Sequence, residues 1–184
     1  MSTTINTRFE FRNIRPEETS QAIAIEKICF PPHEACSRKA MEERIQAAPE
    51  LFLVAIDRET GRIAGFLNGI ATDETRFRDE FFTDISLHDP QGKCVMLVGL
   101  DVLPEYRRQG LGRELVARYV QREIGTRSCL LLTCLEEKVE MYRKFGLEDL
   151  GMANAGTRCG MILDDRDIYG YRISGVCESH WYVS

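Results

Sequence analysis

The residues with the plainest chemical potential lie between Val98 and Arg113, in the run VGLDVLPEYRRQGLGR. An apolar strand enters a turn at Pro104, and Gly110 and Gly112 then open an amphipathic helix. With no side chains at those two positions, the first N–H groups of the helix stay uncovered. Together with the positive end of the helix dipole they make a binding place for an anion such as pyrophosphate. Arg107, Arg108 and Arg113 set three cations around the turn, in a chain where 29 Asp and Glu outnumber 24 Lys and Arg for a net charge of −5. Local charge opposing global charge favours a site over a merely solubilising surface. Two common phosphate loops do not fit. A nucleoside-triphosphate loop needs Lys-Ser or Lys-Thr after its last glycine, and no such pair follows Gly110 or Gly112. A dinucleotide loop needs a third glycine where Leu115 stands, and an acid about 20 residues on, where the chain has Leu130, Leu131 and Leu132.

The remaining chemistry-bearing residues give weaker signals. Glu34, His33, His88 and Asp101 are the candidates to take a proton from a nucleophile, with no preference among them. Asp101 alternates with Leu100 and Val102 along its strand, which aims it away from whatever those two face. Cys134 has no adjacent histidine to activate it and is rejected as a nucleophile. The histidines at 33, 88 and 180 are too dispersed for a metal site, so no metal is expected. Seven cysteines (29, 36, 94, 129, 134, 159 and 177) form no CxxC pair and read as free thiols in a reducing compartment.

Composition bounds the setting. At 184 residues with 43% hydrophobic and 29% charged, the chain is long enough for one domain with a real core. Its acidity argues against a nucleic-acid surface, which needs dense positive charge to displace counterions. The best apolar runs, Leu51–Ile56 and Val95–Leu100, fall far short of the roughly 20 residues that span a bilayer. Met1 to Thr7 is polar and lacks the core of a signal peptide. A cytoplasmic protein with no membrane partner is the expectation.

The elements that must position the turn follow from periodicity. Phe9, Phe11 and Ile14 predict a strand, and Ala22, Ile25, Ile28 and Cys29 a helix ended by Pro31 and Pro32. Ser37 caps a second helix bearing Met41, Ile45 and Ala48. Leu51–Asp57 and Arg62–Thr72 predict a hairpin, and 73–92 an irregular charged insertion. Cys94–Val102, the helix from Leu111 to Ile124, Ser128–Cys134 and the helix Glu136–Phe145 follow as a βαβα unit. Leu147–Met152 and Ile168–Ser174 are weaker strands. The fold class is α+β in layers: a mixed, mostly antiparallel sheet with helices on both faces.

Arg107-x-x-Gly110-x-Gly112, placed between an apolar strand and an amphipathic helix, resembles the acetyl-CoA signature of the GCN5-related N-acetyltransferase (GNAT) superfamily. Tyr142-Arg-Lys-Phe-Gly146 resembles that superfamily's Tyr-x-Lys-x-Gly segment, and the likeness runs over about residues 8–175. That leaves 1–7 as a flexible N-terminus and 176–184 as a tail. Cys29 to Ser37, Leu87-His88 and Arg107 to Gly110 look most like the arylalkylamine N-acetyltransferase branch. Its paired histidines on the strand before the turn correspond here to Met96 and Val98, which carry no proton.

The resemblance implies acetyl-CoA as co-substrate. Leu100, Asp101 and Val102 would hold the pantetheine arm through main-chain groups, and a backbone N–H at Leu100 would stabilise the oxyanion. Arg107, Arg108, Gln109, Gly110, Leu111, Gly112 and Arg113 would hold the pyrophosphate. Tyr142 would donate a proton to the departing thiolate, and Phe30 and Glu34 would line the acceptor site. The implied activity is direct acetyl transfer to a small primary amine, arylalkylamine- or polyamine-like, by a monomer or homodimer. Acetylation of peptide N-termini or protein lysines, and a non-catalytic acyl-CoA sensor, stay open as alternatives.

Overall fold

The computed structural model of the chain describes residues 5, 7–123, 125–152 and 159–164. Its strands are β1 (Phe9–Asn13), β2 (Phe52–Asp57), β3 (Ile63–Thr72), β4 (Cys94–Val102), β5 (Cys129–Cys134), β6 (Glu148–Met152) and β7 (Cys159–Asp164). The helices are α1 (Thr19–Cys29), α2 (Arg38–Ala47), α3 (Leu111–Glu123) and the short α4 (Val139–Arg143). The strands form one sheet in the order β1-β2-β3-β4-β5-β7-β6. Each neighbouring pair is antiparallel except β4 and β5, which run parallel around α3. This is the mixed, mostly antiparallel sheet that the element order predicts.

Every residue of β2 and β3 is buried, so both faces of the sheet's middle are covered. A Cβ at Gly69 would stand 3.1 Å from the Tyr119 hydroxyl of α3, which donates to Leu51 O at 3.0 Å. On the opposite face Asn68 accepts a hydrogen bond from Arg44 of α2. Ser37 caps α2 as expected, its Oγ accepting from Ala40 N at 3.1 Å. In α1 the buried side is Ala22, Ile23, Ile25 and Glu26, while Ile28 is 57% exposed, so the helix is turned from the stripe its apolar spacing suggests.

Other differences are local. The predicted helix from Glu136 to Phe145 begins as a 3₁₀ turn, Glu136–Lys138, before the short α4, and Gly146 with φ 95° ends it. β7 has no predicted counterpart, because a six-residue pattern interrupted by Gly160 gives little period to read. The predicted strand Ile168–Ser174 lies outside the described residues. The 73–92 insertion is ordered rather than loose. Two 3₁₀ turns, Asp79–Phe82 and Ile85–Leu87, drive Phe81 into a small core with Ile70, Met96 and Leu131.

That core also holds Cys94 and Cys129, and here the free-thiol reading needs correction. The parallel register sets Cys94 opposite Cys129 with Cα atoms 4.8 Å apart, and the two are joined as a disulfide. That separation falls in the range a disulfide requires. Cysteines 35 positions apart meet only through cross-strand register, which no local spacing reveals. Cys29 and Cys36 are free thiols. Among the described residues no helix is long and apolar enough to cross a membrane.

Candidate active site

After β4 the chain makes a 3₁₀ turn, Pro104–Tyr106, fastened by Leu103 N donating to Ala64 O at 3.0 Å. Arg107 folds back and its Nε donates to Val102 O at 2.8 Å. Arg108 (φ 60°) and Gly110 (φ 87°) both take the left-handed conformation, which turns the chain sharply into α3. Glu114 N donates to Gly110 O at 3.0 Å, so the helix is counted from Gly110 and its earlier N–H groups have no partner within it. Leu111 is buried and anchors the turn, while Arg107, Arg108, Gln109, Gly110 and Arg113 are exposed. A Cβ at Gly112 would sit in ordinary contact, 3.8 Å from Phe145 and from Val102, so the glycine is not demanded by a clash there. Gln109 is held by Arg8, whose Nη1 donates to Oε1 at 3.1 Å.

Beside this turn the sheet parts. The β4–β5 ladder has three rungs, Cys94–Cys129, Val95–Leu130 and Met96–Leu131. β4 continues to Val102 against β3, and β5 to Cys134 against β7. The two strands therefore diverge beyond Met96, and Leu97 to Val102 presents an edge with no strand partner on that side among the described residues. Such an edge accepts an extended chain by backbone hydrogen bonding. Leu100 and Val102 are half-buried there.

A bulge decides which side chains line this region. Asn68 pairs with Gly99 but the next residue, Gly69, pairs with Leu97, so Val98 is the extra residue in β4. Met96 and Ile70 share the face of the insertion core. Past the bulge, Gly99 and Asp101 lie on the face of Asn68: a Cβ at Gly99 would come 2.7 Å from Asn68 Nδ2 and 3.4 Å from Asp101 Oδ2. Asp101 is thus directed toward α1 and α2, away from Leu100 and Val102, as alternation predicts. There it meets Glu26 of α1, and both carboxyls are buried, Asp101 at 0% and Glu26 at 4% exposure. Burial raises the pKa of Asp101 well above the carboxylate range, and the facing Glu26 adds to the effect. Burial likewise raises Glu26. Around them Arg44 donates to Asn68 Oδ1 at 2.9 Å and to Phe82 O at 3.0 Å, and Asn68 Nδ2 donates to Gly99 O at 3.3 Å. Glu26, Arg44 and Asn68 were not singled out from sequence. Glu26 did carry a signal, standing four residues after Ala22 and three after Ile23 on the buried side of α1.

Tyr142 of α4 packs edge-on to Phe145, with ring centroids 5.9 Å apart. Burial raises its pKa above the usual phenol value, with smaller contributions from Cys134 and Asp101, so it is protonated. Cys29 donates to Val102 O at 3.4 Å. Burial, then Asp101, pushes its thiol up to about 11, which leaves it a poor nucleophile. Phe30 is half-buried just after α1, and Cys36 N donates to Glu26 Oε1 at 2.8 Å, tying down the loop that contains Glu34. His33 is 79% exposed beside Glu34. His88 is elsewhere: its Nδ1 accepts from Ala71 N at 3.1 Å, which fastens the insertion to β3. The structure therefore gathers Asp101, Tyr142 and the glycine turn into one region and leaves His88 out of it.

The Acetyltransferase (GNAT) family matches residues 19–147. Serotonin N-acetyltransferase of Mesocricetus auratus is 30% identical over 148 residues, covering 77% of this chain and 69% of that protein. Mycothiol acetyltransferase of Thermobifida fusca (strain YX) is 34% identical over 125 residues, 64% of this chain and 36% of that protein. Among solved structures, the loading GNATL domain of CurA from Lyngbya majuscula superposes with a TM-score of 0.73 at 16% identity, covering 86% of this chain and 98% of that one. YhbS from Escherichia coli, in complex with CoA, gives a TM-score of 0.59 at 23% identity, covering 88% and 84%. The diverging parallel strands, the glycine turn at the head of α3 and the family match agree: the chain is an acetyltransferase of the GNAT family.

Proposed function

We propose that the protein transfers an acetyl group from acetyl-CoA directly to the primary amine of a small molecule, arylalkylamine- or polyamine-like. The observation that carries this reading is the unpaired edge Leu97–Val102, followed by the Gly110–Gly112 turn at the head of α3, where the first helical N–H groups have no partner within the helix. An acyl-pantetheine arm fits along such an edge as an added strand, with its pyrophosphate on the turn. The similarity to serotonin N-acetyltransferase supports an aromatic alkylamine as acceptor.

In this reading Leu100, Asp101 and Val102 bind the arm through their main chain. The exposed Arg107, Arg108 and Arg113, with Gln109, surround the phosphates at the N-terminus of α3. A backbone N–H at Leu100 steadies the developing oxyanion. Tyr142, kept protonated by its burial, gives its proton to the departing thiolate. Phe30 and Glu34, in the loop held by Glu26, form the acceptor side. No acyl-enzyme is needed, since positioning both substrates at one edge supplies much of the rate.

Release of free CoA, followed with a thiol reagent across a panel of arylalkylamines, polyamines and N-terminal peptides, tests this. Amine-stimulated release confined to small amines is expected. Release with peptides alone moves the acceptor class to proteins, and acetyl-CoA binding without release with any acceptor leaves a sensor.

A further inference from the structure

The Asp101 carboxylate has an environment that the fold does not explain. It is fully buried, and no backbone N–H, amide or guanidinium among the described residues donates to either oxygen; the Cys29 thiol and the Glu26 carboxyl are the groups within reach. An unsatisfied buried polar group costs about 1–3 kcal/mol, and more for a charge. Glu26 differs, because Oε1 has a structural duty in accepting from Cys36 N. Arg44, the nearest buried cation, spends its hydrogen bonds on Asn68 and Phe82 O rather than on either carboxyl. Gly99 has no side chain, and where a Cβ would stand 3.4 Å from Asp101 Oδ2 the Asn68 amide nitrogen already lies 2.7 Å away, so the glycine brings bare backbone up to the carboxyl. Tyr142 also acts on Asp101 from α4, which sets the carboxyl near the residue assigned to protonate the thiolate.

We infer that Glu26 and Asp101 act as a one-proton carboxyl pair that takes the proton of a cationic amine acceptor. This rests on the acetyltransferase reading above and assigns the base that the sequence leaves open, on a strand where Met96 and Val98 cannot serve. Two carboxyls in one dry site cannot both be charged, so one proton is shared and the remaining negative charge is the base. One N–H proton of the ammonium passes to the pair, and the nitrogen lone pair forms the C–N bond to the thioester carbon. The C–S bond breaks with its electrons on sulfur, which takes the Tyr142 proton. The second nitrogen proton restores Tyr142, and the pair returns its own proton to solvent. The net release is one proton per turnover. The charged and titratable groups facing the pair are Cys29 of α1, Arg107 of the turn, Tyr142 of α4, Arg44 of α2 and Cys36 of the intervening loop. With burial the largest influence, the pair titrates above ordinary carboxylates, nearer the working pH where a base is most effective.

The test compares wild type, Asp101→Asn and Glu26→Gln with two acceptors: a primary alkylamine, charged at neutral pH, and an aromatic amine that is already neutral. Asp101→Asn should lower kcat/KM for the alkylamine by about 10²-fold or more, yet by less than about 10-fold for the neutral amine. KM for acetyl-CoA should hold. The deficit should shrink as pH approaches the alkylamine's own pKa of about 10. Glu26→Gln keeps the acceptor for Cys36 N and should show the same pattern more weakly. Equal losses with both amines, or none, overturn the inference. If wild type acetylates neither amine, the acetyltransferase reading itself fails. The pair is then judged by ¹³C-carboxyl titration of the unsubstituted protein, where two ordinary carboxylate titrations overturn it and a shared proton at neutral pH sustains it.

Discussion

Met96 and Leu131 form the last rung between β4 and β5, and beyond them the two strands part. Two rungs earlier the disulfide joins Cys94 to Cys129. The opening beside the glycine turn thus has a covalently closed end and a free end. A cleft for an extended ligand needs such an anchored end, since strands free to slide would lose their register.

That anchor leads to the first prediction. Cys94→Ser, or reduction of the wild type, should lower stability by about 2–4 kcal/mol, as expected for closing a loop of this size. Thermal unfolding with and without reductant measures it. Peptide mapping without reduction should recover Cys94 and Cys129 in one linked fragment.

The two glycines of the turn should behave differently. Gly110 holds φ 87°, so Gly110→Ala strains the backbone by about 1–2 kcal/mol and should lower both Tm and acetyl-CoA affinity. A Cβ at Gly112 would make ordinary contact with Phe145 and Val102 at 3.8 Å, with no clash. Gly112→Ala should leave Tm unchanged or raise it slightly, alanine being the better helix former, while covering N–H groups and weakening acetyl-CoA binding. Calorimetric titration beside thermal melts separates the two effects.

Tyr142→Phe removes only the hydroxyl of a residue that packs on Phe145. It should reduce kcat by about 10²-fold with little change in KM for acetyl-CoA. Unchanged turnover in steady-state kinetics would remove Tyr142 from the proton transfer.

The buried carboxyl has a consequence for folding as well. Burial raises the folded-state pKa of Asp101, so between its unfolded and folded values the native state keeps a proton that the unfolded chain has lost. Stability contributed by this group is present below the unfolded pKa and is lost as pH rises through the folded one. Asp101→Asn should therefore raise stability at neutral pH, by on the order of 1–3 kcal/mol. The gain over wild type should grow as pH rises from the ordinary carboxylate range. Urea denaturation at a series of pH values reads this directly.

Cys29 offers a simpler check. With its thiol pushed up to about 11, alkylation at neutral pH should be much slower than for a free cysteine of ordinary pKa. Mass spectrometry after timed iodoacetamide treatment follows it.

The turn and the elements flanking it were legible because they are local: Pro104, Gly110 and Gly112 act within a few residues of themselves, and β4 spans the predicted Cys94–Val102. What sequence did not show depends on register and helix rotation. Cys94 meets Cys129 only because parallel pairing aligns them. Glu26 reaches Asp101 because α1 is rotated to expose Ile28, a choice made by the sheet beneath it rather than by the helix's own spacing. The insertion reads as irregular because its order comes from scattered anchors, the buried Phe81 ring, His88 on Ala71 N and Arg44 on Phe82 O, and not from any period.

The extra residue at Val98 amounts to a half-period phase shift in the pleat of β4. Upstream of it, even-numbered residues such as Met96 face the insertion core; downstream, odd-numbered residues such as Asp101 face α1. One strand thus delivers a thioether and a carboxyl, five positions apart, to the same side of the sheet. Deleting Val98 would remove the bulge and leave a regular ladder, Leu97 opposite Gly69 followed by Gly99 opposite Asn68, with Asp101 still on the side of α1. The added residue therefore changes the bend and twist of β4 beside the site rather than the face on which the acid stands.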